Sequence, residues 1–190
     1  MKLKSKQIDI FLREPDPNIR VILVYGTNSA LVHDRSKNLV RKFVEDAEDP
    51  FRVAKPSATE IRDDPFRLMD EMNSLSMIGG PRVIWIRGGG NNLADSIVLL
   101  KNSMKSSENI VVIEAGDLST RDKLRKVCEE AKYAAAVPCY LDDEQSILPI
   151  INLGFKNYGL EVDTESMNLL VSKLTTDRGI AQQEIDKMVK

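Results

Sequence analysis

One stretch joins a helical pattern to an apolar strand pattern, and it reads Leu68-Met69-Asp70-Glu71-Met72-Asn73-Ser74-Leu75-Ser76-Met77-Ile78-Gly79-Gly80-Pro81-Arg82-Val83-Ile84-Trp85-Ile86-Arg87. Helix-to-strand connections are normally polar, and neither a helix nor a central strand accommodates Gly-Gly-Pro. This connection nevertheless contains Leu75, Met77 and Ile78. Large apolar side chains at such a turn either fold back onto the core, which is the commoner outcome, or face a partner.

Composition limits the classes of protein that fit. The chain has 190 residues, enough for one ordinary domain and a small second one. Lys and Arg number 27 against 29 Asp and Glu, and aromatic residues are 5%, so neither a basic nucleic-acid face nor a base-stacking surface is indicated. An apolar run of about 18 residues, as a membrane span requires, does not occur. We expect a cytoplasmic, reduced protein.

Five apolar strand patterns alternate with helical patterns over the first 140 residues. A run buried on both faces is typical of a parallel strand, and alternation with helices predicts a doubly wound parallel sheet covered on both faces. The expected strands are Val21–Tyr25, Phe51–Ala54, Arg82–Ile86, Asn109–Ala115 and Ala134–Val137. Two helix starts are also expected, at Asp64-Pro65 and at a capping box formed by Ser119 to Asp122.

No strand pattern follows residue 140. Three helical patterns occupy the rest, one after Asp142-Asp143-Glu144, one after Asp163 and one after Asp177. Residues 141–190 are therefore predicted to form a small three-helix domain behind an α/β domain at 1–140. The last pattern reaches Lys190 without a capping residue, so we expect a further C-terminal region in the whole protein.

Ligands of open parallel sheets bind at the carboxyl ends of the strands, which makes the turn after the first strand the place for a phosphate loop. A working loop needs a second glycine, a lysine and a Ser or Thr at fixed distances. After Gly26 this chain has Leu31, Val32 and His33 instead. The sequence predicts a degenerate loop that binds no nucleotide.

Other chemistry-bearing residues form no recognisable motif. The third strand ends in Ile86-Arg87, where an acid would orient magnesium, and Glu114 and Asp117 are interpreted as solvated or capping groups. The single histidine, His33, is interpreted as a solvated residue of the first sheet-domain helix. Gly88-Gly89-Gly90 is interpreted as an exposed turn. Two cysteines without CxxC spacing indicate neither zinc nor a disulfide framework, so no metal, cofactor or catalytic residue is expected.

Taken together, the segments resemble the delta subunit of bacterial DNA polymerase III, particularly its alphaproteobacterial form. The resemblance spans nearly the whole chain through the order and spacing of its pieces, which are Val21 to Val44, Asp64 to Leu68, Leu75 to Ile84, Val111 to Leu118, Ala134 to Tyr140 and Gln183 to Lys187. It implies a sheet domain of the AAA+ or P-loop ATPase type with a degenerate phosphate loop, a small helical lid, and a C-terminal collar that has no counterpart before Lys190.

The resemblance also implies a function. Members of that family hydrolyse no ATP themselves but open the ring-shaped sliding clamp, the beta subunit, by inserting a Leu-Phe pair into its hydrophobic pocket. That pair aligns with Met77 and Ile78, so these residues are expected to be exposed. Leu75 completes the clamp-binding segment, and we expect it mainly to anchor the helix to its sheet. The implied partners are the clamp, the gamma/tau and delta-prime subunits, and DNA only within the assembled loader, with no membrane.

Two alternatives remain open from the sequence. A phosphotransferase on the same sheet would require ATP chemistry from unrecognised residues. A generic interaction domain unrelated to replication would share the fold without binding a clamp.

Overall fold

The computed structural model describes residues 1, 3, 5–76, 79–101, 107–140, 144–160, 162–173 and 184–188. Met77 and Ile78, the two residues aligned with the clamp-binding pair, lie outside this set. The chain divides into two compact units, Met1–Cys139 and Tyr140–Lys190. No helix among the described residues is long and apolar enough to cross a membrane.

The first unit is a parallel five-stranded sheet in the order β2-β3-β4-β1-β5. Its strands are almost wholly apolar because helices cover both faces. The strands are β1 (Val21–Tyr25), β2 (Val53–Ala54), β3 (Val83–Gly89), β4 (Ile110–Ala115) and β5 (Ala134–Pro138). The helices are α1 (Ser5–Arg13), α2 (Ser29–Phe43), α3 (Ala58–Asp63), α4 (Arg67–Asn73), α5 (Ala94–Leu99) and α6 (Lys123–Glu130). The predicted doubly wound sheet is confirmed.

Alternate residues of each strand face opposite sides of the sheet, and each side packs a separate core. Ile84 and Ile86 enter the core beneath α3 to α6, together with Leu68 and Met72. Val83 and Trp85 enter the other core, beneath α1 and α2. The cysteines Cys128 and Cys139 are buried and unpaired, and burial raises the pKa of the Cys128 thiol to about 12.

Several local predictions were wrong. A genuine capping box lies at Ser57 and Glu60, where it starts the unpredicted helix α3. Asp64 caps no helix, because its carboxylate accepts the Phe66 N–H within a turn and α4 begins only at Arg67. Asp122 is the residue that precedes α6 rather than the end of a capping box, and its carboxylate accepts the Ser119 N–H and hydroxyl.

The Gly88-Gly89-Gly90 run is only partly an exposed turn. Gly88 has a φ of +71° and Gly89 is buried within β3, opposite Ala115, past a shift in the β3–β4 register. A Cβ at Gly89 would lie 2.4 Å from Cγ2 of Ile113, so a side chain cannot fit without moving β4. The glycines therefore serve close strand packing as well as the turn.

The second unit is helical. It contains α7 (Glu144–Asn157), α8 (Thr164–Lys173) and a helical turn at 184–188. Ile151, Met167 and Ile185 form the buried core of its described part.

Candidate functional site

The candidate interaction site is the connection from α4 to β3. Helix α4 is fixed to the sheet by Leu68 and Met72, one helical turn apart and fully buried. The helix ends at Asn73, and Ser74 is extended, with φ −68° and ψ 136°. This change of backbone conformation breaks the 3.6-residue periodicity just before Leu75.

Leu75 corrects the sequence prediction. Continuation of the helical pattern placed it against the sheet as an anchor, but its side chain is 92% exposed. The extended conformation of Ser74 turns the chain away from the sheet, so Leu75 does not join Leu68 and Met72 in anchoring α4. Leu75 is available to a partner instead.

A buried asparagine, Asn109, holds the end of α4 in place. Its side-chain Nδ2 donates to the carbonyls of Met72 and Ser74, at 3.1 and 2.7 Å, while Oδ1 accepts the Arg82 N–H at 2.8 Å. The last carbonyls of a helix have no partner within it, and here a side chain from the start of β4 supplies one. Asn109 thereby joins the end of α4 to Arg82, the residue that immediately precedes β3.

Further bonds fix both ends of the connection. The Ser107 hydroxyl donates to the Met72 carbonyl, and Arg82 pairs with Glu71 at 3.3 Å. Gly79 and Gly80 have φ of +78° and +73°, in the left-handed region that favours glycine. The Gly79 N–H donates to the Ser76 carbonyl at 3.3 Å. Met77 and Ile78 are thus flanked on both sides by a defined backbone.

A groove of about 480 Å³ lies against this connection. Its walls come from the end of α4, the two glycines and the segment before β4, namely Asn73 to Ser76, Gly79, Gly80 and Ser107 to Asn109. The site therefore places the exposed Leu75 beside a groove, at the amino-terminal edge of the sheet. The described residues of the site pair no nucleophile with a base, and what they offer is a binding surface.

The degenerate phosphate loop lies at the opposite, carboxyl-terminal edge. A Cβ at Gly26 would lie 2.0 Å from the Cys139 carbonyl oxygen, so the turn is closed against the chain that follows β5. Asn28 caps α2 by accepting the Leu31 N–H at 3.0 Å, and Val32 is buried. An amide that could bind phosphate is thus already used within the protein.

His33 and Glu114 are not simply solvated, which corrects the prediction for both. His33 stacks on Trp85 with ring centroids 5.6 Å apart, and its Nδ1 lies 3.2 Å from Glu114 Oε1. Glu114 also accepts the Trp85 indole N–H at 2.7 Å. Lys55 and Arg87 lie over the same indole ring, at 5.3 and 4.5 Å. These five side chains close the carboxyl-terminal edge with a network of their own.

Within the described part of the chain, no group of three or more His, Cys, Asp or Glu side chains is placed to hold a metal ion. The sequence did not predict that Asn109 holds the end of α4. It shows Asn109 only as a polar residue immediately before an apolar run. The prediction that a strand starts at Phe51 was wrong. The structure begins β2 at Val53 and leaves Phe51 exposed in the preceding turn.

Two solved structures resemble the fold of this chain. The sheet domain with its helical companion superposes on the Bacillus subtilis DNA clamp loader delta protein with a TM-score of 0.64 at 16% identity, over 98% of this chain and 57% of that one. A variant of Thermotoga maritima RuvB matches with a TM-score of 0.41 at 10% identity, over 96% of this chain and 58% of RuvB. The chain therefore shares its fold with the Bacillus subtilis protein.

A particular relative is found by sequence. The chain is 24% identical over 172 residues to the probable DNA polymerase III subunit delta of Rickettsia prowazekii. The aligned region covers 90% of this chain and 50% of the relative. No protein-family model matches the chain. This relative confirms the resemblance to the delta subunit predicted from the sequence. The chain spans about half the length of the relatives it matches.

Proposed function

We propose that this chain is the clamp-binding part of a clamp-loader subunit in DNA replication, which binds the ring-shaped sliding clamp and helps to open it without hydrolysing ATP. The observation that carries the proposal is Leu75, a 92% exposed leucine on a connection whose two ends are held by Asn109. An exposed apolar group on a fixed support is how protein surfaces present binding anchors. Met77 and Ile78 follow it after Ser76 and align with the pair that enters the clamp.

Opening of the clamp follows from differential binding. The segment can bind two forms of the ring, one open at a subunit interface and one closed. If it binds the open form more tightly than the closed form, binding alone shifts the ring toward the open form. A fixed support favours this, because less binding energy is then lost in ordering the loop. ATP consumed by other subunits, the gamma/tau and delta-prime proteins, need only control access to this surface. Contacts with DNA belong to the assembled loader.

The carboxyl-terminal edge supports a role without ATP hydrolysis. The turn at Gly26 is closed against Cys139, and the Leu31 amide is already bonded to Asn28. Arg87, near the carboxyl end of β3, stands where an acid would orient magnesium. A lysine for the phosphates is absent from the turn.

The test is a binding titration of the chain with the sliding clamp of the same organism, with and without Mg-ATP. We expect saturable binding with the same dissociation constant in both conditions, since the proposed surface and the closed nucleotide edge lie at opposite ends of the strands. Absence of clamp binding would contradict the proposal. If this chain and the clamp, mixed without other proteins, bind each other only when ATP is present, the proposal that clamp binding is independent of nucleotide is contradicted.

A further inference from the structure

Phe51 is a large aromatic side chain that the fold leaves in water. It is 64% exposed and stands in the turn before β2. Asp49 fixes this turn, because its carboxylate accepts the Phe51 N–H at 2.8 Å and its carbonyl accepts the Val53 N–H at 2.8 Å. The ring is therefore presented from an ordered backbone, which lowers the entropy lost when a partner binds it.

The sheet register places Phe51 at the same edge as the α4–β3 connection. Val53 pairs with Val83 in parallel, and the Val83 N–H donates to the Arg52 carbonyl at 2.8 Å. Phe51, two residues before Val53, therefore lies at the same amino-terminal edge of the sheet as the end of the connection that enters β3. A Cβ at Gly80 would lie 3.2 Å from Nη1 of Arg52, so the Arg52 guanidinium packs against Gly80, in the same connection as Met77 and Ile78.

Arg52 adds a charge to this edge. Among the residues that the structure describes it has no ion-pair partner, whereas Arg82 beside it is paired with Glu71. Aromatic residues and arginine are the side chains that most often dominate the binding energy of protein interfaces. An exposed phenylalanine next to an arginine without a described acidic partner fits a partner surface that is apolar with an acidic group at its rim.

We propose that Phe51 is a second apolar anchor for the sliding clamp, beside the loop that carries Met77 and Ile78, and that Arg52 meets an acidic group of the clamp at the rim of the same contact. This inference rests on the proposed function. The pair Met77-Ile78 contains no aromatic ring, and Phe51 supplies one from the turn before the neighbouring strand, with the larger contact area that an aromatic side chain brings.

The test compares two exposed phenylalanines, using the clamp titration described above. Phe66 is 57% exposed and precedes the first turn of α4, a seven-residue helix about 10 Å long whose other end carries the binding loop. We expect Phe51→Ala to weaken clamp binding about tenfold, Phe51→Trp to retain most of it, and Phe66→Ala to leave it unchanged. Arg52→Gln should weaken binding and reduce its dependence on salt. The melting temperatures of all four variants are measured alongside, and those of the phenylalanine variants should stay close to the wild-type value.

The outcomes separate this inference from the proposed function. If the wild-type chain binds the clamp and Phe51→Ala binds equally well, the second anchor is refuted while the proposed function stands. If Phe66→Ala loses as much affinity as Phe51→Ala, the contact is not specific to this edge and the inference is again refuted. If the wild-type chain does not bind, the proposed function itself fails.

Discussion

Replacing Met77 and Ile78 together by alanine is expected to weaken clamp binding at least tenfold and to leave the melting temperature nearly unchanged. Burying one such side chain in a partner is worth about 1.5 to 3 kcal/mol, and each 1.4 kcal/mol or so corresponds to a tenfold change in the dissociation constant. The support of the loop does not depend on the pair, because Leu68, Met72 and Asn109 hold α4 in place. The measurement is a clamp titration of wild type and double variant, each with a thermal melt.

The matched control for this double variant is Val98→Ala combined with Leu99→Ala, two adjacent exposed apolar residues on α5. They remove a comparable apolar surface from another part of the sheet domain, so the affinity should be unchanged. A double variant at 77 and 78 that melts several degrees lower but still binds the clamp would identify those residues as core residues. That result would refute their assignment as the clamp-binding pair.

Asn109→Ala is expected to lower the melting temperature by about 4 to 8 °C and to weaken clamp binding as well. The change leaves the partly buried Ser74 carbonyl and Arg82 N–H, and the buried Met72 carbonyl, without the bonds to Asn109. A polar group left unsatisfied on burial costs about 1 to 3 kcal/mol. For a domain of this size, 1 kcal/mol corresponds to roughly 2 to 4 °C. Clamp binding should weaken because the loop loses its fixed support. Differential scanning calorimetry and the clamp titration measure the two effects.

Two further variants make the Asn109 prediction specific. Asn109→Asp keeps the acceptor for Arg82 but replaces the donor with a carboxylate facing the helix carbonyls, so it should be at least as unstable as Asn109→Ala. Asn73→Ala removes an exposed amide from the same helix end and should change little. An Asn109→Asp protein with wild-type stability would show that the bonds to α4 contribute nothing.

The parts of the fold that the sequence predicted are those determined by long apolar patterns. Val21–Tyr25 was predicted to the residue, because a strand buried on both faces must be apolar throughout and Gly26 ends it. Predictions failed where a short polar motif determines the local structure. The Ser57 and Glu60 capping box starts a helix of only six residues, too short for its apolar spacing to be visible.

The candidate site was predictable only in part, for a physical reason. An apolar loop before Gly79-Gly80 is visible in the sequence, but whether Leu75 faces the sheet or the solvent depends on where α4 ends. The end of α4 is held by Asn109, which is distant in sequence. The pairing of β3 with β4 brings Asn109 next to the helix, where its side chain bonds the Met72 carbonyl. Phe51 is likewise joined to the site by strand register rather than by sequence proximity. Contacts of this kind cannot be inferred from local patterns.

The central claim is that the clamp is bound at the amino-terminal edge of the sheet, and site-specific photocrosslinking tests it most directly. Leu75 is replaced by p-benzoylphenylalanine, which its exposure allows without disturbing the core, and a second protein carries the same group at Phe66. Each is mixed with the sliding clamp and irradiated, and the products are mapped by mass spectrometry. The account predicts an adduct with the clamp from position 75 and none from position 66. An adduct from position 66 with none from position 75 would contradict it.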